Sequence, residues 1–153
     1  MTVTRGKKHV FLGIEIVFKK DGTVQTKIKE HIKDAVSGFK NDITTSVVTP
    51  ATRDLFEINE DSPKLSVEDS ENYHSTTGKL LYISKRARLD IQLAVAFLCK
   101  RVSCCDKDDW RKLKRVLQYL RGTIDDTLIM GADSMHKMCT WDGWTHHMPC
   151  MQT

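Results

Sequence analysis

Sixteen residues from Asp108 to Thr123, DDWRKLKRVLQYLRGT, are spaced for one regular structure. At about 100° per residue, Trp110, Leu113, Val116, Leu117, Tyr119 and Leu120 share one half of a helix. Arg111, Lys114, Arg115, Gln118 and Arg121 share the other. Asp106 is placed to cap the N-terminus, and Asp109, three residues on, gives a weaker form of a capping box. Gly122 is a natural stop. A helix of this length gains most of its stability from packing its apolar half. The segment therefore demands helical partners, and it leaves a basic face to be explained.

The partners are legible upstream. YHSTTGKLLYISKRAR (73–88) predicts one helix, and LDIQLAVAFLCKRV (89–102) a second, with Ile91, Ala94, Val95, Leu98 and Val102 as its apolar stripe. HVFLGIEIVFKKDGTVQTKI (9–28) predicts two strands. Val10 to Phe18 is apolar and β-branched, Asp21-Gly22 is a hairpin signal, and Val24, Thr26 and Ile28 alternate after it. KEHIKDAVSGF (29–39) places Ile32, Val36 and Phe39 on one helix face. Residues 54–71 hold seven acids against one base, Lys64, and include Pro63, which predicts an exposed connection. TLIM (127–130) predicts a short strand.

The expected fold class is α+β, an N-terminal β-hairpin followed by a mostly helical bundle and a short terminal strand. The divisions are a hairpin at 1–28, a helix and connection at 29–52, an acidic loop at 53–72, a basic helical bundle at 73–131, and a tail at 132–153 without regular structure. The expected core includes Leu81, Ile91, Val95, Leu98, Trp110, Leu113, Leu117 and Leu120.

Composition narrows the function class. Hydrophobic residues make up 40% and charged residues 29% of the 153-residue chain, as in ordinary soluble domains. The longest apolar runs, such as VFLGIEIVF, fall short of the ~20 residues that cross a bilayer, so no membrane partner is expected. MTVTRGKKHVFLG lacks the pattern of a secretory signal. Five cysteines, two of them adjacent (Cys104 and Cys105), make a poor disulfide framework and suit a reducing compartment. An intracellular protein is expected, with its compartment left open. Net charge is only +4, but residues 79–121 carry twelve bases against four acids. A solvated bundle needs charge, yet a mixed-sign surface would serve equally well. The single-sign bias favours a phosphate-bearing partner.

Candidate chemistry is sparse. His136, Cys139, His146, His147 and Cys150 are zinc-type ligands, but only one pair has a two-residue spacer, and no metal site is expected. Asp108-Asp109 opens a helix and Asp125-Asp126 fits a turn. Neither pair by itself converges on ions as two-metal chemistry requires. There is no GxSxG elbow and no Gly-rich phosphate loop. Lone histidines such as His31 and His74 suit packing or surface roles. This chain alone is not expected to be an enzyme.

The order of segments resembles the C-terminal part of the reverse transcriptase of Ty1/copia-type retrotransposons, the thumb and connection region before RNase H. The carrying residues are VFLGIEI (10–16), Thr49-Pro50, YHSTTGKLLYISKRARLDIQLAV (73–95) and DDWRKLKRVLQYLRGT (108–123), spanning roughly 9–130. The resemblance implies that the FLG strand looks like the hairpin that holds the primer end, and that the helices cradle the primer–template duplex. It implies nucleic-acid contacts at Gly13, Lys79, Lys85, Arg86, Arg111, Lys114 and Arg115. The implied partners are an RNA/DNA duplex, held weakly and without sequence preference, and the palm and RNase H parts of the parent polyprotein. No cofactor is expected; Mg²⁺ would be needed only by the catalytic domains. The palm's Tyr-x-Asp-Asp motif does not occur here, and Ile124-Asp125-Asp126 lies past the third basic helix.

Three departures stand out. Arg88-Leu89-Asp90 replaces the family's Arg-Pro-Asp. Cys104-Cys105 stand where a proline is usual. WDGWTHHMPCMQT replaces the start of RNase H. With suitable codons, reading that tail two bases later is compatible with the family's Trp-Val-Asp-Ala-Ser-Tyr-Ala-Val-His-x-Asp stretch. Residues from about Asp142 onward are therefore expected to be out of frame, which the genomic DNA tests. Two other readings remain open: a helical protein-interaction domain, and a decayed gene product without present activity.

Overall fold

Leu12 and Gly13 have φ of 49° and 75°, the left-handed conformation that a two-residue turn of the I′ kind requires at both centres. The computed structural model describes residues 6–41 and 43–131, and there this turn divides the apolar run 10–18. The result is two strands, β1 (Lys8–Phe11) and β2 (Ile14–Phe18), where the sequence predicts one. Leucine carries no signal for positive φ, so the run reads as continuous. The Asp21-Gly22 turn falls where expected: Gly22 has φ 82°, and the Thr23 N–H donates to Asp21 Oδ1 at 2.9 Å. It leads into β3 (Val24–Lys27). The predicted terminal strand, β4 (Leu128–Met130), pairs with β3. The sheet is antiparallel throughout, ordered β1-β2-β3-β4, with Phe11 opposite Ile14, Phe18 opposite Val24 and Thr26 opposite Leu128.

Between β3 and β4 the chain builds α1 (Lys29–Ser37), α2 (Val67–Arg86), α3 (Gln92–Arg101) and α4 (Lys107–Gly122). The fold class is α+β. Helix α2 begins at Val67 rather than Tyr73. The Ser66 side chain accepts from the Asp69 N–H at 3.2 Å, and Glu68 and Asp69 lie in the first turn, where the helix dipole favours acids. Those acids belong to a helix terminus and not to the acidic connection.

The four helices and the sheet share one apolar core. Leu113, Val116, Leu117 and Leu120 of α4 are fully buried, as are Ile91, Val95 and Leu98. Each such side chain contributes ~1.5–3 kcal/mol. Trp110 is half-buried and stacks on Phe39, ring centroids 4.5 Å apart. Leu81 is exposed and Leu80 is buried in its place. The inward positions of α2 are Tyr73, Thr76, Thr77, Leu80, Ile83 and Ser84, and the next residue after Leu80 turns about 100° away. Among the described residues, no helix is long and apolar enough to cross a membrane.

Two polar networks hold the helix ends. The Asp106 carboxylate accepts from the N–H groups of Asp108 and Asp109, both at 2.9 Å, and Asp109 accepts from the Asp106 N–H at 3.3 Å, completing the capping box. Arg101 at the end of α3 donates to Asp109 and Asp106, each at 2.9 Å. The second network is built on the Arg88-Leu89-Asp90 tripeptide. Arg88 is 3% exposed. Its fork donates to both Asp90 oxygens, at 3.0 and 2.7 Å, and to the Thr123 carbonyl at 2.7 Å. The Tyr119 hydroxyl donates to Asp90 at 2.7 Å. The α2–α3 junction is thereby tied to the end of α4. Leu89–Ile91 adopts a 3₁₀ turn without a proline.

Candidate nucleic-acid interface

Gly13 sits in the tip of the β1–β2 turn, against α1. A Cβ built there would overlap His31 Nε2 and lie 2.9 Å from His31 Cδ2. The turn is fixed by one carbonyl: Leu12 O takes His31 Nε2 at 2.9 Å and accepts from the Tyr82 hydroxyl at 3.0 Å. Strand turn, α1 and α2 therefore meet at Leu12-Gly13. The cations of α2 stand beside this point. Lys79 pairs with Asp34 of α1 at 3.0 Å. The Arg86 guanidinium lies over the Tyr82 ring, 5.9 Å from its centroid. Positions 79, 82 and 86 follow one helix face. Lys85 and Arg86 are exposed, with no carboxylate partner among the described residues. A cleft of about 190 Å³ opens between His31, Asp34, Lys79 and Tyr82. Val10, Phe11 and Leu12 extend the tip with apolar surface that is 64–71% exposed.

The basic face of α4 is only partly open. Residues 43–57 run along it in the reverse direction. The Gln118 side chain donates to Thr45 Oγ1 at 2.5 Å, Arg115 Nη2 to Thr49 Oγ1 at 3.0 Å, and Arg111 Nη2 to Asp54 at 2.9 Å. Lys112 is buried. It pairs with Asp108 at 2.8 Å, donates to the Glu57 carbonyl at 2.5 Å, and lies 5.3 Å from the Phe97 ring centroid. Arg111 also pairs with Asp108 at 2.7 Å, and these hydrogen bonds and charges raise its pKa above the ordinary arginine value. The Asp54 carboxyl is held below its ordinary range, chiefly by the Thr52 hydroxyl and further by Arg111. Lys114 is half-buried and has no carboxylate partner among the described residues.

Six of the seven sequence-predicted residues thus fall into two groups. Gly13, Lys79 and Arg86 gather around the turn, Lys85 is exposed on α2 with its charge felt at Cys99 of α3, and Arg111, Lys114 and Arg115 lie on α4 beside the 43–57 segment. The sequence gives His31 only a packing or surface role, places Gln118 on the basic half of α4 without a contact, and assigns Tyr82 nothing. Tyr82 was detectable, because it shares a helix face with Lys79 and Arg86. His31 was not, since its partner is a backbone carbonyl nineteen residues away.

Neither acidic pair assembles a metal centre. Asp108 and Asp109 face different partners, Asp109 being bound to Arg101, and Asp125 is paired with Lys29. Among the described residues no group of three or more His, Cys, Asp or Glu side chains could hold an ion. The His/Cys tail and the expected frame change near Asp142 lie outside the described residues.

Sequence comparison adds a second line. Over 121 residues, 78% of this chain, the protein is 32% identical to an uncharacterized mitochondrial protein of Arabidopsis thaliana, covering 48% of that protein. Over 132 residues, 82% of this chain, it is 27% identical to the retrovirus-related Pol polyprotein from transposon TNT 1-94 of Nicotiana tabacum, covering 10% of it. The chain is thus similar to part of a retrotransposon Pol polyprotein. It spans about half the length of the first relative and a tenth of the second. No family model matches the chain, and no solved structure does.

Proposed function

We propose that this chain is the non-catalytic thumb and connection part of a Ty1/copia-type reverse transcriptase, and that it holds an RNA/DNA duplex by its sugar–phosphate backbone. The observation that supports this best is the Leu12-Gly13 turn, pinned by His31 and Tyr82 next to the row Lys79, Tyr82 and Arg86. A glycine at a fixed turn lets a backbone approach closely, and cations two helical turns long can meet successive phosphates. Contact with phosphates carries no sequence information, as a polymerase part requires. The cation set is Lys79, Lys85, Arg86, Arg111, Lys114 and Arg115, with Gly13 at the primer strand. The palm and RNase H parts of the parent polyprotein are further partners, the site is intracellular, and the chain needs no cofactor to bind.

Fluorescence anisotropy with a labelled RNA/DNA hybrid tests the reading. Affinity should fall steeply between about 50 and 200 mM salt, and should not depend on sequence. Salt-insensitive binding, or none at low salt by a sample that circular dichroism shows to be folded, would sink it. A polymerase assay on the purified chain should be blank.

A second reading, a helical domain whose basic helix docks on protein, is favoured by the Arg111–Asp54 pair and the Lys112–Glu57 contact. Joint charge reversal of Arg111, Lys114 and Arg115 separates the two. Lost hybrid binding by a folded variant supports the duplex reading, and lost stability with unchanged binding supports internal docking.

A further inference from the structure

The segment covering α4 is built unlike the rest of the core. It is anchored at its two ends by Ile43 and Leu55, which are 6% and 5% exposed. Between them, residues 43–52 form no helix or strand. Thr44, Thr45, Ser46, Val48 and Thr49 are exposed, Val48 at 93%. This stretch is held to α4 largely by oxygen acceptors. In order along α4, Arg111 meets the Asp54 carboxylate, Arg115 the Thr49 hydroxyl and Gln118 the Thr45 hydroxyl. Donor positions i, i+4 and i+7 form one straight stripe on a helix. The segment thus lays a row of oxygens along a row of N–H groups, as a phosphodiester backbone would.

The row is an imperfect occupant. Two of its three acceptors are neutral hydroxyls, and hydrogen bonds to an anionic oxygen are roughly twice as strong. Arg115 is also half used. Its Nη2 reaches Thr49, but its Nε is buried without an acceptor among the described residues. A phosphate, with several oxygens, can engage Nε and Nη2 together, as a single hydroxyl does not.

We propose that residues 43–57 are a displaceable strap occupying the phosphate-binding stripe of α4, so that the strap and the backbone of an RNA/DNA duplex compete for the same donors. This rests on the duplex reading above. The bound state has the hydroxyl row lifted between its anchors, with Arg115 holding one phosphate through its fork and Arg111 and Gln118 meeting the flanking ones. Binding is then weakened by the fraction of time the strap is closed, and weakening the strap tightens binding.

The test uses the full chain and the triple variant Thr45→Ala, Thr49→Ala, Asp54→Asn, with hybrid anisotropy and thermal melting measured on the same samples. Competition predicts opposite signs: the variant melts at lower temperature and binds the hybrid more tightly, by about fivefold or more, because apparent affinity scales with the open fraction. The single variant Asp54→Asn should move both readouts the same way by a smaller amount, and it serves if the triple variant does not fold. If wild type binds and these variants bind equally or more weakly, the strap is simply structural and the inference fails while the duplex reading stands. If folded wild type and variants all fail to bind, the duplex reading fails and the strap proposal with it.

Discussion

Replacing Gly13 with alanine should destabilise the protein through two separable effects. The first is backbone strain. Gly13 has φ 75°, and holding an L-residue in the left-handed region costs about 1–2 kcal/mol. The second is a clash. The new Cβ would overlap His31 Nε2, so the ring must swing off Leu12 O, forfeiting a hydrogen bond worth about 0.5–1.5 kcal/mol. Together these give roughly 1.5–3.5 kcal/mol, or about 3–14 °C in melting temperature for a domain of this size. The assay is urea or thermal unfolding of a double-mutant cycle with His31→Ala. In the His31→Ala background the methyl has room, so Gly13→Ala should cost only the strain, and the cycle should show coupling of about 0.5–1.5 kcal/mol. Additive effects would mean that His31 does not limit the turn. A Gly13→Ala variant as stable as wild type would refute the turn geometry itself.

Leu80→Ala should cost about 2–5 kcal/mol, while Leu81→Ala, at a side chain 37% exposed, should cost only about 1 kcal/mol; chemical denaturation of the two variants reads the register of α2 directly. Burial pushes the Asp90 carboxyl up, but the hydrogen bonds from Arg88 and Tyr119 outweigh it and hold its pKa below the ordinary value. Its stabilisation is therefore complete above the unfolded value of about 3.9 and is lost as pH falls through the lower folded value. Asp90→Asn should flatten the acid limb of a stability–pH profile measured by urea melts. Asp106→Ala removes the cap of α4 and one partner of Arg101, and should cost about 1–3 kcal/mol in the same melts.

Much of the architecture could be read from residue order, because its signals are local. The Asp106 and Asp109 capping box, the Asp21-Gly22 turn and the apolar stripes of α3 and α4 each rest on spacings within a few residues. The failures are equally specific. The Leu12-Gly13 turn is hidden because leucine carries no signal for positive φ, and the groups that hold the turn carbonyl, His31 and Tyr82, come from α1 and α2. The early start of α2 is hidden because Glu68 and Asp69 continue a run of acids that reads as a loop, although acids after a serine cap also mark a first turn. Leu80 and Leu81 are adjacent and chemically identical, and Leu80 faces inward because it shares the helix face of Tyr73, Thr76, Thr77 and Ile83, a face marked by polar and apolar residues alike. The strap over α4 has no periodicity at all; hydroxyls spaced four apart in an extended segment announce nothing until the helix beneath supplies their donors.

Twelve bases against four acids in residues 79–121 suggest a broad cationic surface. The structure spends five of those bases on ion pairs: Lys79 with Asp34, Arg88 with Asp90, Arg101 with Asp106 and Asp109, Arg111 with Asp54 and Asp108, and Lys112 with Asp108. Two of the acids, Asp34 and Asp54, lie outside the counted segment, so a local tally overstates the field. Lys85, Arg86, Lys100, Lys107, Lys114, Arg115 and Arg121 remain without a carboxylate partner among the described residues. Each phosphate contact changes the slope of log affinity against log salt by about 0.7–0.9, so these seven bases alone limit it to roughly 5–6. Opening the strap frees Arg111 from Asp54 and raises that limit by about one contact. A measured slope well above this range would mean that further ion pairs open on binding, and that the free protein is a poor guide to the bound one.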